Sequence, residues 1–169
     1  ANNSGTYGAY LKIWRSMALK PLILEMPQVI RDTKNHEVYK LDANKLVRLK
    51  SCDIAYIDPP YNSRQYSANY HLLETIACWD NPKIYGKTGL RPHKDKDSDY
   101  SIKRKATKAF QDLIDNLDAK HILVSYNNEG LIPHNQIIEI LESKGEFKLY
   151  EKEYRRYRSE SNHEKRNYK

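Results

Sequence analysis

Apolar residues along the chain recur at helical spacing in some stretches and bunch into short β-rich runs in others. Tyr7, Tyr10, Leu11 and Trp14 fall at i, i+3, i+4 and i+7, which predicts an amphipathic helix started near Ser4-Gly5. Leu72, Leu73, Ile76 and Ala77 predict a second helix, closed by Asp80-Asn81-Pro82. The cleanest stripe is Ala106, Ala109, Phe110, Leu113, Ile114 and Leu117, with Ser101 as its expected cap. Ile137, Ile138 and Leu141 predict a further helix that stops near Gly145. Between them, Ile54 to Ile57 (IAYI) is apolar without alternation, the pattern of a strand covered on both faces, and His121 to Tyr126 (HILVSY) reads the same way. Pro21 to Pro27 is a candidate edge strand, and Glu37 to Leu41 is β-like with a helical turn expected over Asn44 to Leu49. Phe147 to Arg158 reads as two strands or one long bent strand. Strands separated by helices define an α/β sheet. Asn81 to Ser101, rich in Lys, Asp, Gly and Pro, reads as a loop or insertion, and no internal repeat is present.

Composition narrows the picture. A chain of 169 residues is one domain with a modest core. Its two cysteines, Cys52 and Cys78, make neither a disulfide framework nor a metal quartet, so a reducing cytoplasm is expected. None of the six histidines forms a metal-binding spacing with a cysteine, and no metal is expected. No run approaches the length of a membrane span. The chain begins on Ala1-Asn2-Asn3 rather than Met, and the expectation is that it starts inside a longer polypeptide. The net charge of +7 is clustered: Lys83 to Lys108 holds nine basic residues against three Asp, and Lys144 to Lys169 nine against five Glu. Such clusters point to a polyanion, nucleic acid before membrane, with solvated faces of a Lys-rich protein as the alternative.

In α/β sheets, ligands bind at the carboxyl ends of strands. Asp58-Pro59-Pro60-Tyr61 lies at one such end and Ser125-Tyr126-Asn127-Asn128 at another. Asp58 and Pro59 each precede a proline and are pushed into extended conformations. Pro59 and Pro60 have no N–H, so the ladder cannot continue through them. The result is a stiff bend that aims the Asp58 carboxylate and the Pro59 carbonyl outward without backbone partners. Two acceptors held together match an amino group with two hydrogens, and Tyr61 adds a flat face for a planar ring. A nucleobase carrying an NH2 fits.

This motif resembles that of the amino-methyltransferases that use S-adenosylmethionine. The longer string DPPYNSRQYSANYHLLETIA, with SGTYGAYLKIW, GKTGLRP, SYNNEGL and YRRYRS in the same order, resembles the DNA adenine-N6 methyltransferases of bacterial restriction–modification systems across nearly the whole chain. The resemblance implies a Rossmann-like methyltransferase sheet with flanking helices, S-adenosylmethionine as cofactor, and double-stranded DNA as partner. It implies a catalytic motif made of Asp58, Pro59, Pro60 and Tyr61. Hydrogen bonds from both N6 hydrogens to Asp58 and the Pro59 carbonyl would orient the nitrogen lone pair, and Asp58 would stabilise the charge that develops on N6. Tyr61 would stack on an adenine flipped from the duplex. Asp42, with Ala43 beside it, would contact the adenine moiety of the cofactor; the alternative for Asp42 is a helix cap for Asn44 onward.

Other positions stay open between two readings. Tyr126 and Asn127 either wall the base pocket or form a capping turn. Arg64 and Gln65, past the bend, either touch phosphate or support the pocket. Lys87, Arg91 and Lys94 in the insertion are candidates for phosphate contact rather than base reading. Arg155, Arg156 and Arg158, interleaved with Tyr154 and Tyr157, read as a basic strand or loop facing DNA, or as an exposed edge strand. His71 reads as structural.

One departure from the family pattern has consequences. The family holds the methionine half of its cofactor with an aromatic-x-Gly-x-Gly loop after its first strand, and none of the six glycines here stands in a Gly-x-Gly arrangement. The chain offers about five strand candidates, fewer than a complete sheet of that type. The expectation is therefore a catalytic portion, residues 1–169, with a basic insertion at about 81–101 and an N-terminal part missing or supplied by a second polypeptide. Two alternatives stand beside adenine-N6 methylation of DNA. One is a non-catalytic DNA-binding fragment or subunit. The other is a methyltransferase for RNA adenine or cytosine N4, although Asp as the first residue of DPPY favours adenine.

Overall fold

The computed structural model describes residues 14, 16–21, 23–29, 31–86, 89–92 and 97–152. Its regular elements begin at α1 (Ala43–Leu46) and β1 (Cys52–Ile57), followed by α2 (Tyr66–Asn69) and α3 (His71–Cys78). They continue with α4 (Lys103–Asn116), β2 (Ala119–Val124) and α5 (His134–Lys144). A 3₁₀ turn at Ser16–Leu19 precedes them and another, Asp99–Ser101, leads into α4.

β1 and β2 pair in parallel, with Cys52 opposite Ala119 and Ile57 opposite Val124. Parallel strands need a long crossover, here α2, α3, the insertion and α4. The expected stripe on α4 is the core: Ala106, Phe110, Leu113 and Ile114 are buried and pack with Ile132, Ile137 and Ile140. Phe110 and Ile114 are fully buried, each contributing about 1.5–3 kcal/mol relative to exposure. Ile57, Ile122 and Val124 add the inner face of the sheet to this cluster.

The outer face is different. Ile54, Tyr56 and Leu123 are 62, 66 and 56% exposed, so among the described residues the strands are covered on one face and not on both. The residues of α3 that suggested a core stripe, Leu72, Leu73 and Ile76, are likewise exposed, and only its His71 is buried. Two expected strands are absent. Described residues between Pro21 and Pro27, and Glu37 to Leu41, lie outside helix and strand and make no ladder. Phe147 to Lys152 is not a strand either, and the rest of that run lies outside the described residues. So does the expected helix over Tyr7 to Leu11; Trp14 is exposed. Ser101 does not cap α4, whose N-cap position is Ile102 with no side-chain bond. Ser98 takes that role one turn earlier, accepting from the Tyr100 N–H at 3.3 Å, because the chain must turn tightly there to bury Tyr100.

Among the described residues, no helix is long and apolar enough to cross a membrane.

Candidate active site

The parallel register places the carboxyl ends of β1 and β2 side by side. The last rung is the Ser125 N–H donating to the Ile57 carbonyl at 2.9 Å. Both chains then leave the sheet, β1 into Asp58-Pro59-Pro60-Tyr61 and β2 into Tyr126-Asn127. The prolines end the ladder, as their missing N–H groups require. Pro59 is buried, Asp58 is exposed, and Tyr61 is 38% exposed. Among the described residues the Asp58 carboxylate has no hydrogen-bond or ion-pair partner, and the Pro59 carbonyl accepts no backbone bond. Two acceptors thus stand at the strand end on a rigid bend. The Leu131 N–H donates to the Tyr61 carbonyl at 2.9 Å and ties the bend to the loop after β2.

That loop is built around Tyr126. Its hydroxyl accepts from the Ile132 N–H at 3.0 Å, and burial pushes its pKa up, opposed by the backbone bonds from Ile132 and Leu131. The ring lies across Gly130, where an added Cβ would come within 2.1 Å of Tyr126 Cε1. Glycine is required there by close approach. Asn127 closes the turn: its Oδ1 accepts from the Glu129 N–H at 2.8 Å and its carbonyl from the Gly130 N–H at 2.9 Å. In this arrangement both residues make the capping turn.

Asp42 caps α1, its Oδ1 accepting from the Lys45 N–H at 3.1 Å. Its Oδ2 has no hydrogen bond among the described residues. Behind it lies a polar network that the apolar pattern gave no reason to expect. Asn44 donates to the Ala109 carbonyl at 2.9 Å and to Asp112 Oδ2 at 2.7 Å. The buried Tyr100 hydroxyl donates to Asn44 Oδ1 at 2.7 Å. Burial first, then Asp42 and Asp112, push the Tyr100 pKa well up, while the Asn44 bond opposes them. Arg48 pairs with Asp112 at 2.6 Å. Hydrogen bonds from Arg48 and then Asn44 hold the Asp112 carboxyl below its ordinary value.

On the other side of the bend, the Gln65 side-chain amide donates to the Ser98 carbonyl at 3.0 Å and its oxygen accepts from the Ser98 N–H at 2.8 Å. Tyr66 and Tyr70 stack at 5.4 Å and line an open groove of about 430 Å³ with Leu73, Ala77, Arg91 and Pro92. Asp58 does not line this groove. Tyr66 nevertheless senses the bend: burial, then Tyr70, Tyr61 and Asp58, raise its pKa.

The basic candidates divide. Arg91 is 7% exposed and forks onto Asp80 at 2.5 and 3.2 Å, with Thr75 Oγ1 at 3.3 Å. Its charge is already matched inside the protein, so the structure uses it to pin the Tyr85–Leu90 bridge to α3 rather than leaving it at the surface for phosphate. Arg64 is exposed, and its N–H closes a turn on Asn62 Oδ1 at 2.9 Å. Lys87, Lys94, Arg155, Arg156 and Arg158 lie outside the described residues. His71 is buried, and its Nε2 has no partner among the described residues.

Sequence reasoning missed Gln65's clamp, Asn44, Tyr100 and the Gly130 contact. Two of these had a signal: Ser98-Asp99-Tyr100 has a capping serine, and Gly130 follows an Asn-Asn turn.

A parallel α/β pair presenting unpartnered acceptors at a strand end agrees with the resemblance that the DPPY motif carries. Residues 1–157 match the D12 class N6 adenine-specific DNA methyltransferase family, and the chain belongs to it. It is similar to the type II methyltransferase M.FokI of Planomicrobium okeanokoites, at 47% identity over 97% of this chain and 26% of the relative. It is 46% identical to the type II methyltransferase M.NlaIII of Neisseria lactamica, over the whole chain and 50% of that protein. The modification methylase StsI of Streptococcus sanguinis is 42% identical over 95% of the chain and 25% of its own length. The chain thus spans a quarter to a half of these curated relatives. No solved structure matches it.

Proposed function

We propose that this chain is the acceptor-binding part of an enzyme that methylates N6 of a flipped adenine at a specific sequence in double-stranded DNA. The observation that carries the reading is the pair of unpartnered acceptors, the Asp58 carboxylate and the Pro59 carbonyl, on a bend clamped through the Tyr61 carbonyl. The two hydrogens of an adenine amino group satisfy these two acceptors, which orients the nitrogen lone pair for attack. Asp58 stabilises the positive charge that develops on the nitrogen until a proton leaves. Tyr61 offers its face to the extruded ring, a contact worth about 1–3 kcal/mol. S-adenosylmethionine, when bound, supplies the methyl group. Asp42, through Oδ2, and Ala43 would hold its adenosine end. The methionine end has no glycine-rich cradle here, so we assign it to a further segment or second polypeptide. Such a segment would also account for the uncovered sheet face at Ile54, Tyr56 and Leu123. Lys87, Lys94, Arg64, Arg155, Arg156 and Arg158 supply the basic surface for the DNA backbone.

The test is transfer of a tritiated methyl group to duplex DNA by the complete enzyme, followed by digestion to nucleosides. Label in N6-methyladenine is expected. Label on cytosine, or transfer to RNA alone, overturns the reading.

A further inference from the structure

We propose that Gln65 is a positioning residue that holds the Asp58–Tyr61 end of the site in register with the Asp42 end. The inference rests on the methyl-transfer reading above and adds to it the means by which the two ends are aligned.

Gln65 sits four residues beyond Tyr61, in an extended conformation at the N-cap of α2. Its carbonyl accepts from Ala68 and Asn69 at 3.1 and 2.9 Å, so its backbone is fixed by the helix it starts. Its side-chain amide forms two bonds with the backbone of Ser98, 33 residues away, as a neighbouring strand would. Ser67 Oγ adds a parallel bond to Asp97 Oδ1 at 3.1 Å. Ser98 in turn caps the turn that carries Tyr100. Tyr100 then reaches Asn44 on α1, two residues past Asp42. A line of direct hydrogen bonds therefore runs from Gln65, four residues along the backbone from Tyr61, through the base of the insertion to the helix capped by Asp42.

Three features make this line more than packing. Each bond in it is directional and part-buried, so breaking one leaves unsatisfied polar groups. The line spans the insertion's return, so displacement there is felt at both ends of the site. Geometry at a reacting centre is steep in its effect: a misplacement of about 1 Å can cost on the order of a hundredfold in rate. Gln65 itself does not touch the acceptor pair. A Gln at this place that instead contacted DNA would leave the Ser98 backbone groups to another partner, and here they are already used.

The experiment compares the complete enzyme with Gln65→Ala, Gln65→Glu and Tyr100→Phe. Gln65→Glu keeps the acceptor for the Ser98 N–H but loses the donor to its carbonyl, and serves if the alanine variant does not fold. Turnover is expected to fall about tenfold or more in Gln65→Ala and less in Gln65→Glu, with the DNA dissociation constant within about twofold of wild type. Combining Gln65→Ala with Tyr100→Phe should cost less than the two single losses multiplied, because both interrupt one line. Independently of activity, hydrogen exchange in Gln65→Ala should quicken at Ser98–Ile102 and at α1 amides Leu46 and Val47, and not at Ala55–Ile57. DNA affinity falling in step with turnover would make Gln65 a DNA contact and overturn the proposal. Unchanged exchange on α1, or multiplicative losses, would overturn it as well. Absence of adenine methylation by the wild-type enzyme would count against the proposed function instead, and the exchange at α1 would still decide the role of Gln65.

Discussion

The Tyr61 carbonyl and the Leu131 N–H are joined at 2.9 Å, and this bond closes the site across the two strand ends. Tyr61 is the last residue of a bend whose prolines cannot donate, and Leu131 follows the turn built on Tyr126, Asn127 and Gly130. The β2 loop is thus the brace that keeps the bend from relaxing.

Gly130→Ala should therefore disturb the site without touching it. The new methyl meets the stiff Tyr126 ring, and overpacking of this kind costs about 1–3 kcal/mol. Urea denaturation should show the loss. Tyr126→Phe should also destabilise by about 1–3 kcal/mol, because the part-buried Ile132 N–H loses its acceptor. A Gly130→Ala midpoint equal to wild type would remove Tyr126 as the brace.

Asp58→Ala should leave folding intact, since the carboxylate has no partner among the described residues. In the complete enzyme, methyl incorporation should drop by on the order of a hundredfold or more, the effect of losing an acceptor used in the transition state. Activity within a few-fold of wild type would sink the assignment.

Arg91 should separate cleanly from Lys87 and Lys94. Arg91→Ala breaks the bond to Asp80, whose carboxylate is 42% exposed. A stability loss of about 1–3 kcal/mol is expected, less than for a fully buried pair, with no change in the salt dependence of DNA binding. Neutralising Lys87 and Lys94 together should flatten that dependence by up to about two contacts' worth of slope and weaken all duplexes alike. Loss confined to one cognate sequence would make them base readers.

Acid stability should depend on Asp112. Its folded pKa lies below the ordinary 3.8, held down by hydrogen bonds from Arg48 and Asn44. A depressed carboxylate contributes stability that is present above the unfolded value and lost as pH falls through the folded one. Asp112→Asn should therefore flatten the part of the stability profile below about pH 4 and leave its shape near neutrality unchanged. Thermal melts across pH 2–7 would show an identical acid limb if the pair were irrelevant.

The chain alone should bind S-adenosylmethionine weakly and methylate nothing. A polypeptide carrying an aromatic-x-Gly-x-Gly segment should restore both. Calorimetry and methyl incorporation test this, and turnover by the isolated chain would show that the cofactor site is complete without such a segment.

The α4 stripe became the core because Phe110 and Ile114 meet α5 and the inner sheet face. The bend was legible because proline chemistry is local: no tertiary contact can restore a missing N–H. Pro21 to Pro27 and Glu37 to Leu41 looked like strands because their composition suits a ladder, but a strand exists only where a neighbour pairs with it. Apolar content also misled at Ile54, Tyr56 and Leu123. The run reads as buried, yet only one face meets helices among the described residues. The clamp at Gln65 was not legible, because it joins residues 33 apart through one side chain and the backbone. Arg91 looked like every other cation of the insertion until Asp80 was seen beside it.

The parallel pairing of β1 with β2 also dictates the order in which this protein acquires its site. Asn44 and Ala109 meet across 65 residues of chain, and the strands meet across a comparable span. Loop closure of that length precedes any reward from the contacts it makes, so such pairings form slowly and late. α4 is the longest element among the described residues and rich in local contacts, so it can form early and serve as the surface on which the strands later align. The acceptor bend lacks its tie to Leu131 until that alignment is complete. A nascent or partly refolded chain would carry helix without a working site, and on refolding of the complete enzyme recovery of methyl transfer should trail recovery of helical signal.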